Sequence, residues 1–320
     1  MTELPPEARL WNLMRGAMTT KALGVAADLG VADALADGPR PVAELALEVG
    51  ADRDTLHRIL RALASDGVFA EDEPGVFGHT DASQLLCSGA PGAWPDFAHL
   101  FGGVFAKALA ELDPRTNEGT FTRAFETDFW SWLAQNPEER TAFDAAMAGG
   151  KERSAERLAG LEWRGDETVV DLGGGNGAVL RALLERHAGL RGIVFDLPET
   201  NVNETSLGDR VRFVPGSFFE DVPSGDVYVL SRILHDWGDD RAGAILRTIR
   251  AGAPPGAAVL VLDSVLPEGN ETNGAKWLDL LMLVLAGGRE RTESQWRELF
   301  EAAGLRVDQI EDGLIQARCP

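Results

Sequence analysis

From Thr20 to Leu86 apolar residues recur at three- and four-residue spacing in three blocks, TKALGVAADLGVADAL, VAELALEV and DTLHRILRALASDG. The spacing predicts three short helices punctuated by Gly30, Gly50 and Gly67, with Asp52 as N-cap of the third. Beyond Gly67, VFAEDEPGVFGHT sets two short apolar runs around the turn residues EDEPG, which reads as a hairpin. Three helices followed by a hairpin form a winged-helix arrangement. After Gly165 the pattern changes: ETVVDL, GIVFDL, VRFVPG, DVYVLS and AAVLVLD are continuous apolar or β-branched runs, separated by amphipathic stretches such as AVLRALLERH and DRAGAILRTIRAG. The back half is therefore expected to be α/β, a doubly wound and mostly parallel sheet, with its ligand beyond the carboxyl ends of the central strands. The expected division is a winged-helix-like domain over 1–90, a helical linker over 91–150 and a ligand-binding domain over 151–320.

Between Trp94 and Met147 aromatic residues crowd together, among them Phe101, Phe105, Phe121, Phe125, Phe129, Trp130 and Phe143. Two readings stand side by side, core and interface packing or a flat apolar pocket for an aromatic ligand.

Composition and charge remove several classes. The chain has 320 residues, 44% hydrophobic and 25% charged, an ordinary globular balance. Its 30 basic and 51 acidic residues leave a net charge of −21. Such a field repels phosphate backbones and anionic lipid. The hairpin region argues the same way: between Arg40 and Asp81 four arginines face nine acids, a local −5 where a DNA reader is basic. Only Cys87 and Cys319 are present, too few and too far apart for a disulfide framework or a metal cluster. The acidic, proline-bearing start MTELPPEARL is unlike a secretory signal, and the greasiest stretch, Leu278–Ala286, is short and interrupted by Asp279. A cytoplasmic protein without nucleic-acid or membrane partners is expected.

Candidate chemistry gathers at the strand ends. ETVVDLGGGNGAVLRALL sets a buried strand, then Asp171, then a loop bearing Gly173, Gly175 and Gly177, then a helix. Glycine lets a ligand approach such a loop closely. The G-x-G-x-G spacing fits the dinucleotide fingerprint G-x-G-x-x-G poorly. Asp196 ends the next strand, where a carboxylate can accept from ribose hydroxyls. A tight turn with strand-end caps is the plainer alternative. Of five histidines, His235 alone follows a central strand and precedes an acid, Asp236, which reads as a capping group or as a support to the histidine. Asp263 ends the strand AAVLVLD. Glu290 precedes a helix start marked by the capping-box pair Thr292 and Gln295. Asp263 can equally be a solvated strand end, and Glu290 a partner of Arg289 or Arg291.

In order, DLGGGNG, FDLP, LHDWGDD and GGRERT resemble the motifs of the S-adenosylmethionine-dependent small-molecule O-methyltransferases, the family of plant caffeate and flavonoid enzymes and of bacterial polyketide O-methyltransferases. The resemblance runs from about Lys21 to the C-terminus. It implies a Rossmann-like, seven-stranded methyltransferase domain, a winged-helix dimerisation domain that forms a homodimer, and a metal-independent reaction. It places the glycine loop against the methionine part of the cofactor, Asp196 and Leu197 at the ribose, Ser217 and Phe218 beside the adenine, and Ser231 at the cofactor's charged end. Ser217 stands where the family often has an acid, and an ordinary strand-end hydroxyl is the alternative for Ser231. His235 becomes the general base flanked by Asp263 and Glu290, Asp263 being shorter than the glutamate of plant members. Phe143, Met147 and Met282 become acceptor-pocket residues, with core packing as the alternative for Met147 and the dimer seam for Met282. The expected reaction methylates a phenolic hydroxyl of an aromatic natural product. Use of the bound cofactor for hydroxylation or decarboxylation is the alternative; a winged-helix regulator and a nicotinamide dehydrogenase are disfavoured by charge and loop spacing. Homodimerisation is expected on the residues as well, because Leu23, Val25, Leu29, Val31 and Leu35 in one stretch are too apolar to be left bare.

Overall fold

The computed structural model describes residues 5–116, 119–198, 200 and 209–320. The chain forms two compact units, one of Met1–Thr116 with Phe121–Gly149 and one of Asn117–Thr120 with Gly150–Pro320.

The front unit opens with helix α1, Pro6–Asp28. It starts well before the expected Thr20, because Pro6 at the first helical position supplies the fixed φ a helix start needs. It also ends sooner than the expected helix. Gly30, at φ 65°, turns the chain into a separate short helix, Val31–Ala34. Val42–Glu48 follows, then α2, Arg53–Ser65, whose N-cap Asp52 accepts from Thr55 N at 2.8 Å. Leu56, Leu60 and Leu63 bury one face of α2. The wing is an antiparallel pair, Phe69–Glu73 and Val76–His79, turned at Pro74–Gly75 and flanked by the strand Arg40–Pro41.

Val31 and Leu35 lie in the core of this unit with Leu45, Leu56, Phe69 and Phe77, and Leu23 and Leu29 pack against it. The stretch is thus covered, as expected, but by the core of its own unit, so it is not the surface that calls for a second copy. A run of uncovered apolar side chains lies instead on the first half of α1, where Leu10, Trp11, Leu13, Met14 and Met18 are about 60% exposed. Among the aromatic residues, Phe105, Phe121 and Phe129 are buried, and Phe121, Phe125, Phe129, Trp132 and Phe143 form a chain of ring contacts at 4.4–5.8 Å. Helix α3 is Pro137–Ala159.

In the second unit seven strands share one sheet: β1 Thr168–Leu172, β2 Arg191–Asp196, β3 Val211–Pro215, β4 Val227–Ser231, β5 Ala258–Leu262, β6 Arg306–Glu311 and β7 Leu314–Arg318. Their order is β6-β7-β5-β4-β1-β2-β3, parallel from β3 to β5, with β7 and β6 antiparallel. Alternate residues feed two cores. Val169 and Val229 pack on α4, Ala178–Arg186, whereas Val170, Tyr228 and Leu230 pack with Ile245 and Leu246 of α5, Asp239–Gly252. Burial on both faces explains the uninterrupted apolar strands. Two further helices are α6, Gly274–Ala286, and α7, Glu293–Ala302, the latter capped by Thr292 and Gln295 as expected. Among the described residues no helix is long and apolar enough to cross a membrane.

Within the front unit, α1 crosses the helix Trp94–Gly102 at glycines: a Cβ on Gly24 meets Ala98 O at 2.8 Å and Gly102 Cα at 2.9 Å. Both obstacles are backbone and cannot rotate away. Gly24→Val is therefore expected to destabilise the front unit by about 1–3 kcal/mol, the usual cost of overpacking, measured by chemical denaturation. Unchanged stability would show that the two helices separate freely.

Candidate active site

The chain runs outward from β1 to β3 and then returns to β4 beside β1, so the winding reverses between β1 and β4. A crevice opens at the carboxyl ends of strands at such a point. Asp171 lies near the end of β1 and the glycine loop follows it, Asp196 ends β2, Ser217 follows β3, Ser231 ends β4 with His235 beyond it, and Asp263 follows β5.

Gly173, Gly175 and Gly177 have φ of 70°, 58° and 72°, the left-handed region that side chains resist. A Cβ on Gly173 would collide with Ile233, and one on Gly174 would stand 2.7 Å from Asp171 Oδ2. The loop is tied to its neighbour strand, with Gly173 N donating to Phe195 O at 2.8 Å and Gly175 N to Asp196 Oδ2 at 2.8 Å. Asp196 Oδ1 accepts from Leu197 N and Thr200 Oγ1; the Leu197 side chain is half exposed. Asp171 is buried, and its Oδ2 has no hydrogen-bond partner among the described residues. Burial pushes this carboxyl up to about 7, against the pull of Lys151 and with the help of the Asp196 charge.

Ser217 and Phe218 lie at the opening of a turn where Ser217 Oγ accepts from Phe219 N, and the Phe218 ring contacts Phe219 and Trp237. Ser231 Oγ donates to Ser154 Oγ at 2.9 Å, so a residue of α3 that no sequence signal marks shares the strand end. Arg232, next along, holds φ 56°, and its guanidinium packs against Gly150. A non-glycine residue in that region goes unmarked by residue type.

His235 lies in a short turn, Leu234–Asp236, and is buried. Its Nδ1 donates to Glu290 Oε1 at 2.8 Å. Asp236 Oδ1 stands 3.6 Å from Nε2. Asp236 caps no helix, since the N-cap of α5 is Gly238, so of its two expected readings only support of the imidazole remains. Asp263 is buried in the same charged group, yet neither of its oxygens has a hydrogen-bond partner among the described residues. Glu290 Oε2 is likewise unpaired. The short strand Arg291–Thr292 pairs in parallel with Val265–Leu266, which carries Glu290 alongside the end of β5. Gly288 makes the close approach possible, because a Cβ there would strike His235 O. Arg289 N donates to that same carbonyl at 2.8 Å, and Glu290 N donates to Asp279 Oδ1 at 2.8 Å.

The charges in this group are coupled. Burial alone lowers the affinity of His235 for its proton, but Asp263, Asp236 and Glu290 outweigh it and raise the imidazole to about 9. Burial raises Asp236 to about 7 and Asp263 to about 6, each restrained by the facing imidazolium.

Of the remaining expected residues, Met282 is buried on α6, where Trp277 and Leu283 are exposed. Phe143 and Met147 lie on the part of α3 that belongs to the front unit; both are partly buried, and Phe143 touches Phe129 and Trp130.

The loop cradle, the unpaired Asp171 oxygen and the Asp196 carboxylate fit a nucleoside joined to an amino acid. The O-methyltransferase domain model matches residues 105–306, and the O-methyltransferase dimerisation domain model matches residues 11–89. A phenazine O-methyltransferase of Lysobacter antibioticus is 40% identical over 96% of this chain and 93% of its own. A 3-amino-4-hydroxybenzoate 4-O-methyltransferase of Streptomyces cremeus is 36% identical over 94% and 86%. The crystal structure of an O-methyltransferase from neocarzinostatin biosynthesis, in complex with S-adenosylhomocysteine and 1,4-dihydroxy-2-naphthoic acid, superposes with a TM-score of 0.82 at 33% identity over 94% and 96%. This chain belongs to the S-adenosylmethionine-dependent O-methyltransferases.

Proposed function

We propose that this enzyme methylates a phenolic hydroxyl of a small aromatic natural product, with His235 as general base, Glu290 orienting it and Asp263 supplying charge. The observation that carries the reading is the buried His235–Glu290 hydrogen bond at the mouth of the β1/β4 crevice. When bound, S-adenosylmethionine supplies a methyl group already activated on a sulfonium, so alignment and removal of the acceptor proton remain for the protein. With Nδ1 donating to Glu290, Nε2 is the nitrogen that takes that proton once the imidazole is neutral. His235 holds its own proton less tightly beside a bound cation, which brings it toward the neutral form a base requires. Asp196 and the glycine loop would hold the nucleoside, Asp171 and Ser231 would face its charged end, and Phe218 would flank the base ring. Met282, on the unit that carries His235, contributes to the acceptor pocket on this reading. The aromatic acceptor is supported by the relatives, which act on phenazine and hydroxybenzoate compounds. Hydroxylation or decarboxylation has no support among them.

A homodimer is the proposed assembly. The dimerisation-domain match covers most of the bare stripe from Leu10 to Met18 on α1, which a second copy would bury. Light scattering is expected to give about twice 34.4 kDa, and a monomer at micromolar concentration would refute it.

His235→Ala is expected to lower turnover by roughly 10²–10⁴-fold and to leave S-adenosylhomocysteine affinity nearly unchanged. Asp196→Ala should weaken cofactor binding first, and Glu290→Gln should lower turnover less than His235→Ala. Near-normal turnover of His235→Ala on a good acceptor would withdraw the base assignment.

The raised imidazole also ties folding to pH. A proton bound more tightly in the folded state stabilises it fully below the free value of about 6.5, and the stabilisation is lost as pH rises through about 9. The thermal midpoint should therefore fall between pH 7 and 9.5. In His235→Gln the fall should be smaller; an equal fall would assign it to other groups.

A further inference from the structure

The side chain immediately after Glu290 is fully buried and cationic. Arg291 Nε donates to Asp239 Oδ1 at 2.9 Å, Nη2 to Trp237 O at 2.8 Å, and Nη1 to Leu234 O at 3.1 Å and Arg289 O at 3.3 Å. Its guanidinium lies over the Trp296 ring, 5.0 Å from the centroid. Every nitrogen of the fork is engaged. Burying a charge is a weak device for stability, since a well-packed apolar replacement often does as well. What this one holds is specific. The carbonyls of Leu234 and Trp237 bracket His235 and Asp236, in a turn whose own support is two bonds of 3.2 Å, Asp236 N to Ile233 O and Trp237 N to Leu234 O. The residue bonded to Arg291 in the chain is the acceptor of the imidazole proton. Arg289 adds to the frame through His235 O and through Asp239 Oδ2 at 2.7 Å.

We propose that Arg291 is a positioning residue: its guanidinium fixes the 234–239 segment against the 289–291 segment and so sets the distance and angle between His235 and Glu290. The proposal rests on His235 as the base. A fixed fork is needed because the guanidinium serves four acceptors at once. A lysine ammonium keeps the charge but cannot span them together. Misplacement of the imidazole by a fraction of an ångström is felt in turnover and not in cofactor binding.

The test compares the full-length enzyme with Arg291→Lys and Asp239→Ala, the second removing a half-exposed carboxylate that holds both arginines. For each, kcat, the acceptor KM, S-adenosylhomocysteine affinity by calorimetry, the thermal midpoint and the low-field proton resonance of His235 Nδ1 are measured. Arg291→Lys is expected to lower kcat on the order of 10–100-fold, with KM and S-adenosylhomocysteine affinity within about twofold, and to shift or broaden the Nδ1 resonance. Asp239→Ala should move the same readouts in the same direction by less, and it decides the matter if Arg291→Lys does not fold. Native kcat with an unchanged resonance in the folded variants would overturn the proposal, as would a kcat loss that merely follows the folded fraction. His235→Ala is run beside them. If it keeps turnover the base assignment falls, and the resonance alone then decides whether Arg291 positions the imidazole.

Discussion

One imidazole buried among three carboxylates sets the terms for the catalytic half of this protein. A charged or polar group out of water must be paired, and His235 is paired from more than one direction: Glu290 at Nδ1, Asp236 near Nε2, and Asp263 through the field. That arrangement needs elements far apart in sequence to end at one point. The parallel sheet brings β4 and β5 side by side, a separate two-stranded pairing of Arg291–Thr292 with Val265–Leu266 follows β5, and Gly288 lets the segment after it run against the His235 carbonyl. Backbone pairing and the Arg291 guanidinium together hold the polar centre.

The α/β half was legible because its strands are buried on both faces and its glycine loop follows one of them. The helix start at Pro6 was missed although Trp11, Met14 and Met18 stand at helical spacing, because Gly16, Thr19 and Thr20 are weak helix formers that interrupt the pattern before Leu23. The hairpin of β6 and β7 was anticipated only through family likeness, since the alternation in RVDQIEDGLIQAR is mixed with charge. The Asp312–Gly313 pair at its turn, with φ of 45° and 79°, is the local signal that marks it.

At the site, residue type and position along the strands drew attention to Asp171, Asp196 and His235, whereas Glu290 was marked by the helix start that follows it and by family likeness. Ser154 and Arg232 could not be found that way. Ser154 sits inside a long helix with nothing distinctive around it, and it matters because the fold lays it on Ser231. Arg232 matters through a backbone angle that arginine does not advertise. Asp263 shows the converse: its type and place drew attention, while its missing hydrogen bonds are visible only in three dimensions.

Gly288 has a consequence for how the enzyme can change over evolution. Any side chain there would push the 289–291 segment off the His235 carbonyl, so this stretch is closed to the gradual substitutions by which a pocket is reshaped for a new acceptor. Selection for a different aromatic compound has to act on surfaces that carry no part of this frame.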